Sequence, residues 1–385
     1  MYHLDTHRLR VCGRYTREGA NREAFSKSRF IIIQHLLTDT EELVGLLHQT
    51  GADVFCVLAK PYSIDQYVLK RMEENGHNIV CFSYSDNDDL LDGVLSSAIE
   101  KSKSDNRQIV ILDVGGYFAK PLTKLNQEDA TQIAGLVEDT TFGHRRYEEM
   151  VARIPIPVFS VARSALKEIE AKFVGNAAIL AIDSVFRELG VSLAGRNALV
   201  IGYGMIGKNV ANALQSQNVR VSVYDKKDHR NLKAYCRGFV VDRKIELLKH
   251  ADIIFSATGE RAVTLADIEI CRDNVVLASV GSQDIEFDIK GLRELAVRSE
   301  KIGPYITKFV LPNSKNVMVV NDGVAVNLII QSVLSEVMDL VFAELITCSA
   351  LLLRHPGQYV PGQIYQTPEI SLNLIAKDWL KFVNC

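Results

Sequence analysis

Ala198-Leu-Val-Ile-Gly-Tyr-Gly-Met-Ile-Gly-Lys208 is an apolar strand that runs directly into Gly202-x-Gly204-x-x-Gly207. A helical pattern from Val210 to Gln217 follows, and a second apolar strand, Val219 to Tyr224, ends at Asp225. Strand, glycine turn, helix, strand and acid within about 30 residues make the fingerprint of a dinucleotide-binding βαβ unit. Gly202 permits the tight turn, Gly204 lets backbone approach a pyrophosphate, and Gly207 lets helix and strand pack closely. Met205 and Ile206 open the helix, whose free N–H groups and positive dipole end face the phosphates. Asp225 stands about 20 residues beyond the glycines, where a carboxylate accepts the ribose hydroxyls. An acid there repels a 2′-phosphate, so the pattern predicts NAD as cofactor in preference to NADP.

On either side of this unit the chain alternates short apolar runs with helical patterns. Upstream, Phe30–Gln34, Val54–Leu58, Asn78–Phe82 and Gln108–Asp113 read as strands, separated by helices at Thr40–Gln49, Ile64–Asn75 and Asp89–Ser102. Such alternation implies a parallel sheet whose ligands collect at the strand C-termini: His35, Lys60-Pro61, Ser83-Tyr84 and Asp113-Val-Gly-Gly116. A strand at Val158–Val161 leads to Lys167, and Ser164–Leu189 reads as one long helix ended by Gly190. Further strands are expected at Ile253–Ser256, Val275–Ser279 and Val317–Val320, then one long apolar helix over Val326–Leu353 and an amphipathic stretch at Ile370–Phe382. The fold class is therefore α/β, with two Rossmann-like doubly wound parallel-sheet domains and the site in the cleft between them. Residues 1–163 form the substrate-binding-type domain, to which 330–385 return, and 164–329 form the NAD-binding domain.

At 385 residues, 47% hydrophobic and 24% charged, the chain reads as a soluble globular protein of two or three domains. A net charge of −3 gives no reason to expect nucleic acid or an anionic membrane as partner. No apolar run reaches the roughly 20 residues of a membrane span, and Met1-Tyr-His-Leu-Asp-Thr-His7 has no signal-peptide core. Seven scattered cysteines, at 12, 56, 81, 236, 271, 348 and 385, form no CxxC or Cys/His cluster. That pattern predicts reduced thiols in a cytoplasmic protein and no metal. The apolar Val326–Leu353 helix asks for burial on more than one side, so a homo-oligomer, most simply a dimer, is expected.

Several segments, in order along nearly the whole chain, resemble S-adenosylhomocysteine hydrolase. His35-Leu-Leu-Thr-Asp39-Thr followed by Gly51-Ala-Asp-Val is similar to that family's first substrate loop and strand. Ile111-Leu-Asp-Val-Gly-Gly116 resembles its ILDDGG segment, and Glu138-Asp-Thr-Thr-Phe-Gly143 its SEETTTG segment. Gly202-Tyr-Gly-Met-Ile-Gly207 resembles GYGDVGKG, Ala257-Thr-Gly259 the TTG turn, Val280-Gly-Ser-Gln-Asp-Ile-Glu-Phe-Asp288 IGHFDVEID, and Asn321-Asp-Gly-Val-Ala-Val-Asn327-Leu AEGRLVNL. The resemblance implies a retained NAD that oxidises a ribose 3′-hydroxyl, elimination of the 5′ thioether, addition of water and return of the hydride. It implies cofactor contacts from Thr140, Thr141, Ala257, Thr258, Gly259, Val280, Gly281 and Asn327, substrate contacts from Asp39 and Asp113, and catalytic roles for Lys167, His35 and Asp139.

The departures fall on the substrate side. Val114 stands where the family has a catalytic aspartate. In Lys167-Glu-Ile-Glu-Ala171-Lys172 the lysine matches, but the family's aspartate and asparagine are replaced by Ala171 and Lys172. Ser282 replaces a histidine, the histidine-gate segment has no counterpart, and the family's C-terminal lysine and tyrosine are not recognisable. With no anion beside it and Lys172 one turn away, Lys167 is expected to have a pKa below its usual value near 10.4, as suits a general base. His144-Arg145-Arg146 reads as a solvated helix face, and Glu170 with Lys172 as an exposed pair. The leading reading is a divergent NAD-dependent enzyme that oxidises a secondary alcohol of a nucleoside-like or other polar small molecule, with elimination or epimerisation to follow. A catalytically impaired NAD-binding regulatory protein and an S-adenosylhomocysteine hydrolase with substitute residues stay open beside it.

Overall fold

The computed structural model describes residues 9–82, 88–281 and 285–383. Met1–His7, Ser83-Tyr84, Ser282 and Cys385, all read above, lie outside the described residues. The chain divides into two units, Met1–Lys167 with Ser335–Cys385, and Glu168–Leu334.

The first unit holds β1 (Ser28–Leu36), β2 (Asp53–Ile64), β3 (Ile79–Cys81), β4 (Gln108–Asp113), β5 (Ile133–Glu138), β6 (Val158–Ser160) and β15 (Ile364–Tyr365). They lie in the order β3-β2-β1-β4-β5-β6-β15, every pair parallel. Phe30 to Ile33 are all buried, because a central parallel strand is covered on both faces. Phe30 and Ile32 enter one apolar core while Ile31 and Ile33 enter another, as the two-residue repeat of a strand requires. The order reverses between β1 and β4, the switch point at which open α/β sheets bind ligands.

In the second unit the strands are β7 (Asn197–Ile201), β8 (Arg220–Tyr224), β9 (Val240–Val241), β10 (Ile253–Ser256), β11 (Val275–Ser279), β12 (Arg298–Gly303), β13 (Ile306–Val310) and β14 (Asn316–Val320). Their order is β12-β13-β14-β11-β10-β7-β8-β9. The pairs from β14 through β9 are parallel, and β12 and β13 add an antiparallel edge. Both sheets are thus doubly wound, as the sequence implied. The β12–β13 edge was not foreseen. Arg298-Ser-Glu-Lys301 is exposed and charged, the usual guise of a protected edge strand. Strand β5 also escaped, because Gly135 interrupts its apolar run. A Cβ at Gly135 would stand 2.6 Å from Leu352 Cδ2, so the glycine admits the helix Ser335–Arg354.

That helix corrects the expectation of one helix over Val326–Leu353. A single 3₁₀ segment, Val326–Ile329, ends at extended Ile330, and the α-helix begins only at Ser335. Ile329, Ile330 and Val333 are β-branched, and Asn327 Nδ2 donates to Ser332 Oγ at 2.7 Å, a local bond that competes with the helical ladder. Leu340, Leu345 and Ile346 pack into the core of the first unit, and Val337 and Val341 are buried as well. Among the described residues no helix is long and apolar enough to cross a membrane.

Arg29, fully buried at the start of β1, ties three elements together. Its Nε donates to Asp53 Oδ2 at 2.6 Å, Nη2 to Asp105 Oδ2 at 2.7 Å and Nη1 to Ser102 Oγ at 2.7 Å. Arg29→Ala is expected to destabilise the fold by about 3 kcal/mol, as for removal of one partner from a buried ion pair. Urea unfolding measures it, and a loss under about 1 kcal/mol would place the cluster with ordinary surface pairs.

Candidate functional site

The glycine turn is held by what its missing side chains allow. Gly202 has φ +93°, and a Cβ there would lie 2.7 Å from Ala257 O. A Cβ at Gly207 would lie 1.7 Å from Gly202 O. At Gly204 the nearest atom is Arg230 Nη1 at 3.7 Å, so the backbone stands open for a ligand. Gly204 caps the helix Met205–Ser216, and Met205 O accepts from Asn209 Nδ2 at 2.8 Å. Ile206 packs on the core of this unit.

Asp225 follows β8 and is turned back onto the loop. Its Oδ2 accepts from Tyr203 N at 2.7 Å and from Arg230 Nη1 at 3.2 Å, and its Oδ1 accepts from Lys227 N at 2.9 Å. Burial opposes the charge, but these N–H groups and the guanidinium hold the carboxyl below its ordinary value. Asn231 fixes the Asp225 backbone from both sides, at 2.7 Å each way. Neither Arg230 nor Asn231 was legible beforehand. Arg230 joins Tyr203, Gly204, Met205, Lys208 and Arg237 in lining a cavity of about 630 Å³.

The Ala257-Thr258-Gly259 turn is organised by Glu286, buried and unassigned in the sequence reading. Its Oε1 accepts from Thr258 N at 2.9 Å and Gly259 N at 2.7 Å, and its Oε2 from Thr258 Oγ1 at 2.6 Å and from Ser256 Oγ. A Cβ on Gly281 would meet Glu286 Oε1 at 2.3 Å, which is why glycine follows buried Val280. Asn327 is buried in the 3₁₀ segment. Its Nδ2 is used by Ser332, while its Oδ1 has no hydrogen-bond partner among the described residues. A buried acceptor left open is costly unless a ligand N–H completes it, and a nicotinamide carboxamide carries such a group. The glycine cradle, Asp225 and this orphaned oxygen together fit NAD.

In the first unit the predicted residues gather along the C-terminal edge of the sheet. At the end of β1, His35 Nδ1 hydrogen-bonds Ser63 Oγ of β2, and burial, Lys60 and Lys167 push the imidazole well below its usual pKa. Asp39 is buried in the first turn of Thr38–Gln49. At the end of β4, Asp113 Oδ2 accepts from Phe118 N at 3.0 Å and Tyr147 Oη at 2.6 Å. Its Oδ1 is buried without a partner among the described residues, and burial raises its pKa.

Glu138, closing β5, holds the facing Gly-Gly turn. It accepts from Gly115 N at 3.1 Å, Gly116 N at 2.9 Å, and the N–H and hydroxyl of Thr140, both at 2.6 Å. The Thr140 hydroxyl also accepts from Gly143 N at 3.0 Å, so it caps the helix Thr141–Met150. Thr141 Oγ1 reaches Ala162 O at 3.5 Å.

Lys167 requires a correction. Its Nζ lies 2.8 Å from Asp139 Oδ1, both side chains nearly buried, so the premise that no anion stands beside it does not hold. The anion comes from the end of β5, about 30 residues away in sequence, where helix spacing gives no sign of it. The solvated-face reading of 144–146 is also corrected. His144 is buried against Ser160 Oγ at 2.9 Å, and Arg146 Nη1 donates to Gly115 O at 3.2 Å. Two further buried groups were missed. Glu344 accepts from Ser164 Oγ at 2.7 Å and Thr367 Oγ1 at 2.5 Å, and burial pushes it up to about 7. Lys60, named only as the end of its strand, is fully buried, and burial pulls it down to about 8.

Residues 176–333 match the family model of the S-adenosyl-L-homocysteine hydrolase NAD binding domain. The adenosylhomocysteinase of Saccharolobus solfataricus is 30% identical over 340 residues, 87% of this chain and 80% of that protein. That of Thermotoga maritima is 27% identical over 339 residues, 87% of this chain and 82% of that protein. Among solved structures, a glyoxylate reductase from Paecilomyes thermophila is 11% identical, covering 87% of this chain and 98% of that chain at a TM-score of 0.42. An alignment that spans both units, joined to a second unit built to hold a dinucleotide, shows that this chain belongs to the adenosylhomocysteinase family and takes NAD as its cofactor.

Proposed function

We propose that this chain is a divergent adenosylhomocysteinase-like enzyme that oxidises a secondary alcohol of a nucleoside-like or other polar small molecule. NAD, when bound, supplies the hydride acceptor, and the ketone formed acidifies a neighbouring C–H, opening elimination or epimerisation. The single observation that carries this reading is the contrast between a kept cofactor cradle and changed substrate-side positions. The second unit keeps an intact turn, a charged Asp225 and an open Asn327 oxygen. The first keeps a buried edge of ionisable groups, His35, Asp113, Asp139 and Lys167. Where the family carries polar catalytic groups, Val114 of the first unit lies in an apolar core, and in the second unit Ala171 is buried and Lys172 is exposed. Lys167 and Asp139 serve as a fixed ion pair that orients substrate.

Asp225 sets the cofactor preference. Its charge opposes a 2′-phosphate, an effect that Arg230 softens without removing, since backbone N–H groups also hold the carboxylate. NAD is expected to bind at least about tenfold more tightly than NADP, roughly 1.4 kcal/mol, and Asp225→Ala to weaken NAD more than NADP. Calorimetric titration of both cofactors tests this, and equal affinities in the parent protein would refute it. The regulatory reading is favoured by the loss of polar groups at 114 and 171. A metabolite screen for reduction of bound NAD separates it from the enzyme, because a purely regulatory chain reduces none.

A further inference from the structure

At the C-terminal edge of the first sheet, several ionisable groups have their charge or hydrogen-bonding capacity engaged by the protein. Lys167 is ion-paired with Asp139. Glu138 accepts from two glycine N–H groups and twice from Thr140. His35 is committed to Ser63 through Nδ1. Among the described residues one oxygen of Asp113 has no hydrogen-bond partner, and buried Lys60 has no ion-pair partner.

Lys60 owes its place to an irregularity in the sheet. Gln34 pairs with Ala59 and Leu36 with Ile64, so residues 60–63 bulge opposite the single residue His35 of β1. A bulge at a strand end re-aims side chains, here those of Lys60 and Ser63. Lys60 is 1% exposed. Among the described residues its ammonium has no hydrogen-bond partner and no carboxylate within ion-pair distance, and the Tyr62 ring centroid lies 5.8 Å away. Glu138, Asp113 and Asp139 act on it from β5, β4 and the turn after β5, and Lys167 opposes them from its helix. A buried cation without a contact partner gives up its proton more readily than a paired one. The condition expected of Lys167, a desolvated lysine with no anion in contact, is therefore met at Lys60.

We propose that Lys60 is the group that takes the hydroxyl proton when this enzyme oxidises its substrate. The inference rests on the oxidation reading above. The neutral amine accepts the O–H proton and becomes ammonium, the carbinol hydrogen leaves with its electron pair to NAD, and a ketone and NADH result. Asp113, with its open oxygen, accepts a hydrogen bond from the substrate. As a carboxylate it is a far weaker base than an amine, about 3.9 against 10.4 in ordinary pKa.

The test uses NAD-loaded protein carrying ¹³Cε-labelled lysine, titrated from pH 6 to 10.5 by NMR, with Lys60→Met to assign the signal. The Lys60 signal is expected to titrate with a midpoint near 8. A signal that keeps its ammonium shift up to pH 10 overturns the proposal. In a second arm, adenosine is the probe and absorbance at 340 nm reports NADH. Lys60→Met is expected to slow NAD reduction by at least about 100-fold, within the usual range of general-base catalysis. Lys60→Arg, charged at every working pH, should not restore it. The parent rate should rise with pH through the same midpoint seen by NMR. Reduction by Lys60→Met at the parent rate overturns the proposal. If the parent itself leaves NAD oxidised, it is the oxidation reading for this probe that fails, and the titration still decides whether Lys60 exchanges its proton.

Discussion

Gly207→Ala is expected to abolish useful NAD binding. The added methyl carbon would stand 1.7 Å from the Gly202 carbonyl oxygen and 3.6 Å from Val200 Cγ1. The carbonyl cannot simply retreat, because Gly202 lies close to the Ala257 carbonyl, its own N–H is bonded to Tyr224 O at 2.8 Å, and Tyr203 N is held by Asp225. The loop must therefore open, and it carries the backbone that a pyrophosphate approaches. We expect NAD affinity to fall at least about 100-fold, roughly 2.7 kcal/mol, with a fold destabilisation of about 1–3 kcal/mol from overpacking. Gly93→Ala is the control. It lies in the helix Asp88–Asp105 with no atom within 4 Å of an added Cβ, and alanine there should be neutral or slightly stabilising. Calorimetry and thermal melting measure both variants. Retention of NAD within about threefold of the parent by a folded Gly207→Ala protein, a difference under roughly 0.7 kcal/mol, would mean that this loop does not hold the dinucleotide.

Turnover of S-adenosylhomocysteine is expected to lie at least about a thousandfold below ordinary enzyme rates of roughly 1–10³ s⁻¹. Where the family carries acids and amides, Val114 is embedded in an apolar core, Ala171 is buried with no polar atom to offer, and Lys172 is exposed. Groups that act as a unit lose most of their effect when several members are missing. A thiol-release assay with NAD-loaded protein reads this directly. Release near 1 s⁻¹, within that ordinary range, would refute the expectation and favour the hydrolase reading with substitute residues.

Much of the second unit's site was legible because it depends on local spacing. Gly202, Gly204, Gly207 and Asp225 lie within one βαβ unit, and the strand, turn and helix that carry them follow from near neighbours in sequence. Glu286 was not legible, although its segment was recognised. Its four donors come from Ser256, Thr258 and Gly259, on a different strand and turn, and no spacing along the chain announces that meeting.

By itself the sequence determined the α/β class, the two doubly wound sheets, the dinucleotide turn and the edge at which His35, Lys60 and Asp113 emerge. All of these rest on periodicity and on glycine stereochemistry, which operate over a few residues. Only the tertiary structure decided how the charges at that edge are shared. The Asp139 carboxylate reaches the helical Lys167 from the turn after β5, and Glu138 is consumed by the turn after β4. The bulge in β2 leaves Lys60 buried without a contact partner. The protonation state of a buried lysine depends on desolvation and on anions a few ångströms away, and parallel strands bring those anions from segments far apart in the chain.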